Sequence, residues 1–276
     1  MDRRSEGFAP GRAPWRVIAF IALFSSPLLA GASPAAAQFH VVQPDVVKGE
    51  ATVGDHAAAY VGPGTEEKLR QGHEVEATYD FTERWELVAK GIFQQPIGEP
   101  LEAKNYQLGA QYELVQRHGD GVGLAFRTLY EFAAEGGQPD DLFYGPMARL
   151  VLGKDSATIN AFFISQVGDN ADPGSVELKI NWQLRRDLGP KFGLGVEGYT
   201  DIKDLADAGS FEDQEHRLGP VLYLDLGKRD AKEDLHRDEV ERPEAPSFRV
   251  AAGALFGLSE ATSDVTFKLD VAAAFY

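Results

Sequence analysis

Along most of the chain, apolar and polar residues take turns. From Asn105 to Leu114, Tyr106, Leu108, Ala110, Tyr112 and Leu114 alternate with Asn105, Gln107, Gly109, Gln111 and Glu113. A period of two puts successive side chains on opposite faces of a strand. The alternation returns in Val176, Leu178, Ile180, Trp182 and Leu184 against Glu177, Lys179, Asn181, Gln183 and Arg185. It returns again in Val75, Ala77, Tyr79 and Phe81 against Glu74, Glu76, Thr78 and Asp80, and in Phe267, Leu269 and Val271 against Thr266, Lys268 and Asp270. Weaker versions occupy 85–95, 122–132, 142–154, 157–167, 192–202, 215–226 and 247–257, and with a first strand at about 46–61 the pattern predicts twelve strands.

The connections alternate as well. Thr82-Glu83-Arg84, Arg117 to Gly121, Lys154-Asp155-Ser156 and Asp187 to Lys191 are short, while 62–70, 96–102, 134–141, 168–174 and 203–214 are mostly longer. Short turns on one side, longer loops on the other and an even strand number are the habit of outer-membrane barrels. The exception is 227–246, about 20 residues where a short turn is expected. A soluble barrel would also alternate, with the apolar face inward. Strands of roughly 10 to 13 residues suit a tilted bilayer crossing, and aromatic pairs such as Phe81 with Trp85 and Phe93 with Tyr106 sit where interfacial girdles belong. The expectation is therefore an all-β fold: a single antiparallel up-and-down transmembrane β-barrel of about twelve strands.

The first stretch has a different grammar. Arg3, Arg4, Arg12 and Arg16 precede the apolar run 17–30, and Ala35-Ala36-Ala37 supplies the small residues that a signal peptidase reads. The run is broken by Ser25, Ser26 and Pro27 and is too short for an anchor. Residues 1–37 are thus expected to be a cleaved signal peptide and 38–276 the barrel domain. The whole chain has 27 basic and 43 acidic residues and a net charge of −16. Without the leader's four bases and two acids, 23 basic face 41 acidic residues, a net of −18.

Three stretches carry a resemblance. Gly72-His73-Glu74-Val75-Glu76-Ala77-Thr78-Tyr79-Asp80-Phe81-Thr82-Glu83-Arg84-Trp85-Glu86-Leu87, Arg217-Leu218-Gly219-Pro220 and Leu255-Phe256-Gly257-Leu258-Ser259-Glu260-Ala261 resemble a family of proteobacterial outer-membrane β-barrels. That family is distantly similar to channel-like proteins linked to uptake of aromatic compounds. The resemblance covers most of the mature chain and implies fold and location rather than a substrate. Two departures stand out: the outward register reaches Phe275 and leaves Tyr276 over, and 227–246 reads as an insertion.

Composition removes several chemistries. With no cysteine there is neither a disulfide scaffold nor a thiolate metal site, and the acid excess argues against nucleic acid. Gly193-Leu194-Gly195-Val196-Glu197-Gly198 spells a dinucleotide fingerprint, but inside an alternating strand rather than between a strand and a helix. Gly257 to Ala261 falls short of a nucleophile elbow. The six histidines show no ligand spacing; His216 beside Asp213 and Glu215 is the best ingredient for catalysis and reads as part of an acidic loop. No enzyme, cofactor or metal site is expected.

Function is then expected on the inward face. Its polar register carries acids Glu74, Glu76, Asp80, Glu86, Glu113, Glu131, Glu177, Glu197, Asp201, Asp225 and Asp270. It carries bases Lys90, Arg127, Arg149, Lys179, Arg185, Arg217, Arg249 and Lys268. Such a lining predicts a narrow passive channel for small solutes with mild cation preference. The alternative is a structural or adhesive barrel whose salt-bridged interior is closed. Lipid is the expected surround, and the charged 227–246 segment is expected to be a solvated insertion, with a pore plug or a contact to a periplasmic partner as the other readings.

Overall fold

The computed structural model describes residues 39–62, 69–134, 138–169, 171, 174–227 and 246–276. The expected leader and nearly all of 227–246 lie outside the described residues. Twelve strands follow in order: β1 (Ala51–Val61), β2 (Leu69–Asp80), β3 (Trp85–Pro96), β4 (Glu102–Val115), β5 (Gly121–Ala133), β6 (Asp140–Leu152), β7 (Asp155–Val167), β8 (Val176–Asp187), β9 (Phe192–Ile202), β10 (Glu215–Leu226), β11 (Ser247–Gly257) and β12 (Val265–Phe275). Each pairs antiparallel with its neighbours in sequence, and β12 closes on β1 with Ala51 opposite Phe275 and Val61 opposite Val265. No edge remains, so every strand has partners on both sides.

Local sequence explains the turns and the irregularities. Gly153 and Lys154 join β6 to β7, with Leu152 opposite Asp155. Gly153 has φ +62°, the sign that a type II′ hairpin needs at its first central position and that glycine adopts without strain. In β9, a Cβ on Gly198 would run into the Trp182 ring, so only glycine fits beside the indole there. Pro146 and Pro220 each sit where the ladder toward the next strand is interrupted, as a residue without an N–H must.

The two registers of the wall differ sharply. In β4, Gln107, Gln111 and Glu113 are buried, while Tyr106, Leu108 and Leu114 are about half exposed. In β8, Asn181 and Gln183 are buried and Leu184 is 54% exposed. Phe81, Trp85, Phe126, Ile159, Leu194, Leu222 and Phe267 extend the apolar exterior around the wall. A soluble protein does not leave so large an apolar surface in water. The hydrocarbon of a bilayer is its natural solvent, and strands of 11 to 14 residues match the reach of a tilted crossing.

One boundary is corrected. The first strand was expected at about 46–61 and begins at Ala51. Pro44 has no donor and Lys48 and Gly49 form a turn, so pairing with β2 and β12 starts only beyond them. The residues before that turn go elsewhere.

Candidate functional site

Residues 39–47 cross the inside of the barrel. Phe39 packs edge-on against Tyr60 and Tyr199, with ring centroids 6.0 and 5.2 Å apart, toward the end that carries the longer loops. Asp45 lies toward the short-turn end, where Arg149 and Arg117 donate to its two oxygens at 2.7 and 3.1 Å. Asp45 stands outside the strands. Burial alone would raise its pKa, and the two guanidiniums override burial and hold the carboxyl below its ordinary range.

This segment has no ladder partner, so its buried main-chain groups need side chains. Asn160 on β7 supplies both halves of such a match. Its Oδ1 accepts from the Val42 N–H at 2.9 Å, and its Nδ2 donates to the Val42 carbonyl at 2.9 Å. Asn181, directly across the ladder on β8, donates to the His40 carbonyl at 3.2 Å. Gln111 on β4 donates to the carbonyls of Gln43 and Pro44 at 3.1 and 3.2 Å. The N–H groups of Val46 and Val47 reach Glu113 and Asp80 at 3.4 and 2.5 Å. Val42 also packs into an apolar patch of Val88, Ala125, Leu129, Phe143, Met147 and Phe162.

Around the segment, the wall closes with ion pairs. Lys90 Nζ lies 2.8 Å from Glu74 and 3.1 Å from Glu76, and Arg127 lies 3.1 Å from Glu76 and 2.7 Å from Glu86. Across the barrel, Lys268 Nζ sits 2.6 Å from Glu197 and 2.8 Å from Asp270. Glu197 also accepts from Tyr199, Tyr223 and Gln183. Lys179 pairs with Glu177 and Asp201, Arg185 with Asp225 and Asp187, and Arg217 with Glu215. Glu131 accepts from Asn105 and Gln107.

The charged residues singled out in the sequence therefore point inward and answer one another or the crossing segment. Beside the segment is a cavity bounded by His40, Val42, Glu74, Lys90, Gln107, Arg127, Phe143, Phe162, Lys179 and Asn181, with a volume of about 20 Å³. That is room for about one water molecule. As it stands, this interior is packed.

The pattern of alternation missed the crossing segment, because residues 39–47 carry no period that announces an inward course. It also missed the inward aromatics Tyr60, Phe143, Phe162, Tyr199 and Tyr223. A signal was present at Leu142-Phe143-Tyr144 and Phe162-Phe163, where both registers are apolar and one must therefore face inward.

Two other clusters have weaker claims. His40, His56 and Glu76 each bring a ligand atom within 4.8 Å of the others. The two imidazoles are stacked, with centroids 3.8 Å apart and planes at 13°, so their lone pairs run side by side rather than converge. Glu76 is already engaged by Lys90 and Arg127, and the arrangement suits stacking better than ligation. His216 stacks on Phe211 at 4.2 Å, and its ring nitrogens lie 3.1 Å from Thr200 Oγ1 and Gln214 Oε1 rather than beside Asp213 or Glu215. Asp213 instead accepts from the amide and hydroxyl of Ser210 at 2.8 and 2.7 Å, which lowers its pKa.

A closed ring of twelve antiparallel strands carries an apolar exterior and a polar, ion-paired interior. This is the anatomy of an outer-membrane β-barrel. No family model and no curated protein matches the sequence. Among solved structures, the chain is similar to the KdgM porin in complex with disordered oligogalacturonate, at 8% identity and a TM-score of 0.49 over 82% of this chain and 98% of that one. It is also similar to the NanC porin, at 10% identity and 0.49 over 81% and 99%. A third likeness is to the outer membrane protein OprD from Pseudomonas aeruginosa, at 11% identity and 0.38 over 83% of this chain and 66% of that one. At such scores it is the barrel's own geometry that carries its reading.

Proposed function

We propose that the protein is an outer-membrane channel for small solutes that is held shut by its own residues 39–47. The observation that supports this most directly is the wiring of that segment. It occupies the barrel axis from the Phe39 pocket to the Asp45 clamp, and it is held by side-chain hydrogen bonds, packing and two guanidiniums rather than as a strand of the wall. Contacts of that kind can be exchanged for water without unpairing a single ladder bond. The sheet closes without the segment, as the direct pairing of β1 with β12 indicates.

The test is planar-bilayer recording on refolded protein. The unaltered chain should be nearly silent, and the combined substitutions Asn160→Leu, Asn181→Leu and Asp45→Ala should produce discrete single-channel steps. Silence of both forms, with folding verified by heat-dependent migration on a gel, would reject the channel and favour the structural barrel with a closed interior.

A further inference from the structure

Over its middle, residues 40–44, the crossing segment is held by side chains of one kind, while Glu113, Asp80 and two guanidiniums take over at 45–47. Asn160, Asn181 and Gln111 are neutral amides that turn to main-chain groups, whereas wall amides such as Asn105, Gln107 and Gln183 turn to carboxylates. A primary amide carries a donor nitrogen and an acceptor oxygen on one carbon, which together can meet the C=O and N–H that an extended residue presents on one side. Asn160 uses both on one residue, Val42. The nitrogens of Asn181 and Gln111 likewise donate to carbonyls of the main chain, while the Gln111 oxygen accepts from Arg127. Recognition of this type reads backbone rather than sequence, as when an extended peptide adds to a sheet edge. At one end Arg117 and Arg149 clamp a carboxylate, which a free peptide can offer as an acidic side chain or as its own C-terminus. At the other end an aromatic ring sits against Tyr199.

We infer that this track is a binding site for extended oligopeptides with an aromatic residue near one end and a carboxylate near the other, and that residues 39–47 are its resident occupant. The inference deepens the channel reading, on which it rests for the displacement of the segment, by naming the solute class. The amides guide the choice: a sugar hydroxyl can also donate to and accept from an amide, but here Asn160 meets the N–H and the C=O of one residue, Val42, and that pair belongs to a peptide main chain.

Because the chain has no cysteine, Val41→Cys gives a single reporter in the full-length protein. Val41 is buried, so the thiol introduced there should react slowly with a water-soluble maleimide. A synthetic peptide matching residues 39–46, present at concentrations above the roughly millimolar effective concentration of a tethered segment, should displace the segment and speed labelling about tenfold or more. The same peptide N-methylated at the position of Val42 has lost the N–H that Asn160 accepts, and it should give little or no acceleration. Adding Asn160→Leu should erase the difference between the two peptides. Equal effects of both peptides on the Asn160 protein, equal acceleration by an oligosaccharide of similar length, or no acceleration at any concentration would overturn the inference. If Val41→Cys fails to fold, Gln43→Cys serves as the reporter under the same criteria. Labelling needs no current, so a barrel that exchanges its segment for peptide yet never conducts refutes the channel alone. A barrel that conducts and ignores the peptide refutes this inference alone.

Discussion

Two sectors of the inner wall solve the same problem in different ways. On β2, β3 and β5, Glu74, Glu76, Glu86, Lys90 and Arg127 pair with one another, Lys90 with the adjacent β2 and Arg127 across β4 to β3 and β2. On β7 and β8, Asn160 and Asn181 look across at one another and bond to residues 42 and 40 of the crossing segment. The first sector is complete without the segment, and the second is completed by it. Burying a charge demands an opposite charge within reach, so the charged sector had to close on itself. Neutral amides cost less to bury than charges, so the second sector can be satisfied by main-chain groups in place of opposite charges.

The largest test of that contrast falls on the charged sector. Glu74→Gln with Glu76→Gln strips both carboxylates from Lys90 and one from Arg127, and removal of one side of a buried pair costs about 3–5 kcal/mol. The urea midpoint of the refolded barrel should fall accordingly. A drop below about 1 kcal/mol would mean that water reaches these groups and that the sector is not closed. On the opposite surface, Leu108→Arg should cost about 2–4 kcal/mol if that position is near mid-membrane. Replacing Ser156, at the short-turn end of β7, should be nearly neutral. Equal tolerance would contradict the outward facing of Leu108.

A smaller effect is expected in the amide sector. Asn160→Leu leaves the Val42 N–H and carbonyl without partners, a loss of about 1–3 kcal/mol confined to the segment. Hydrogen exchange should rise at residues 40–46 while the strand amides stay protected. Loss of protection throughout the barrel would show that the segment belongs to the fold and is not a separable occupant.

The smallest effect is a dependence on pH. The Asp45 carboxyl is held below its ordinary range by Arg149 and Arg117, so the folded form is the more acidic one. Its contribution is present in full above the ordinary aspartate value and is lost as pH falls through the lowered folded value, that is, below about 4. The difference in unfolding midpoint between the unaltered chain and Asp45→Asn should therefore be steady from about pH 8 to 5 and shrink as pH falls below about 4. A difference that grew on acidification would reverse the assigned sign.

The alternation repeated along the chain, with the lengths of the connections, was enough to predict strand number, the facing of Leu108 against Gln107 and of Ile180 against Asn181, and the sides on which short and long connections lie. A period of two is a local property: each residue's face follows from its neighbour's, and the solvent on each face follows from its chemistry. The charged partners were legible as a set but not as pairs. Lys90 could have met any acid of its height, and only the stagger of β2 against β3 places it between Glu74 and Glu76. The crossing segment was settled by tertiary structure alone. Nothing in Phe39 to Val47 marks an inward course, because what fixes it is a set of amides, rings and guanidiniums more than sixty residues away in sequence, together with Tyr60, brought to one axis when β12 closes on β1. Main-chain groups must find partners wherever the chain runs, and which partners exist inside a barrel is decided only once the barrel is shut.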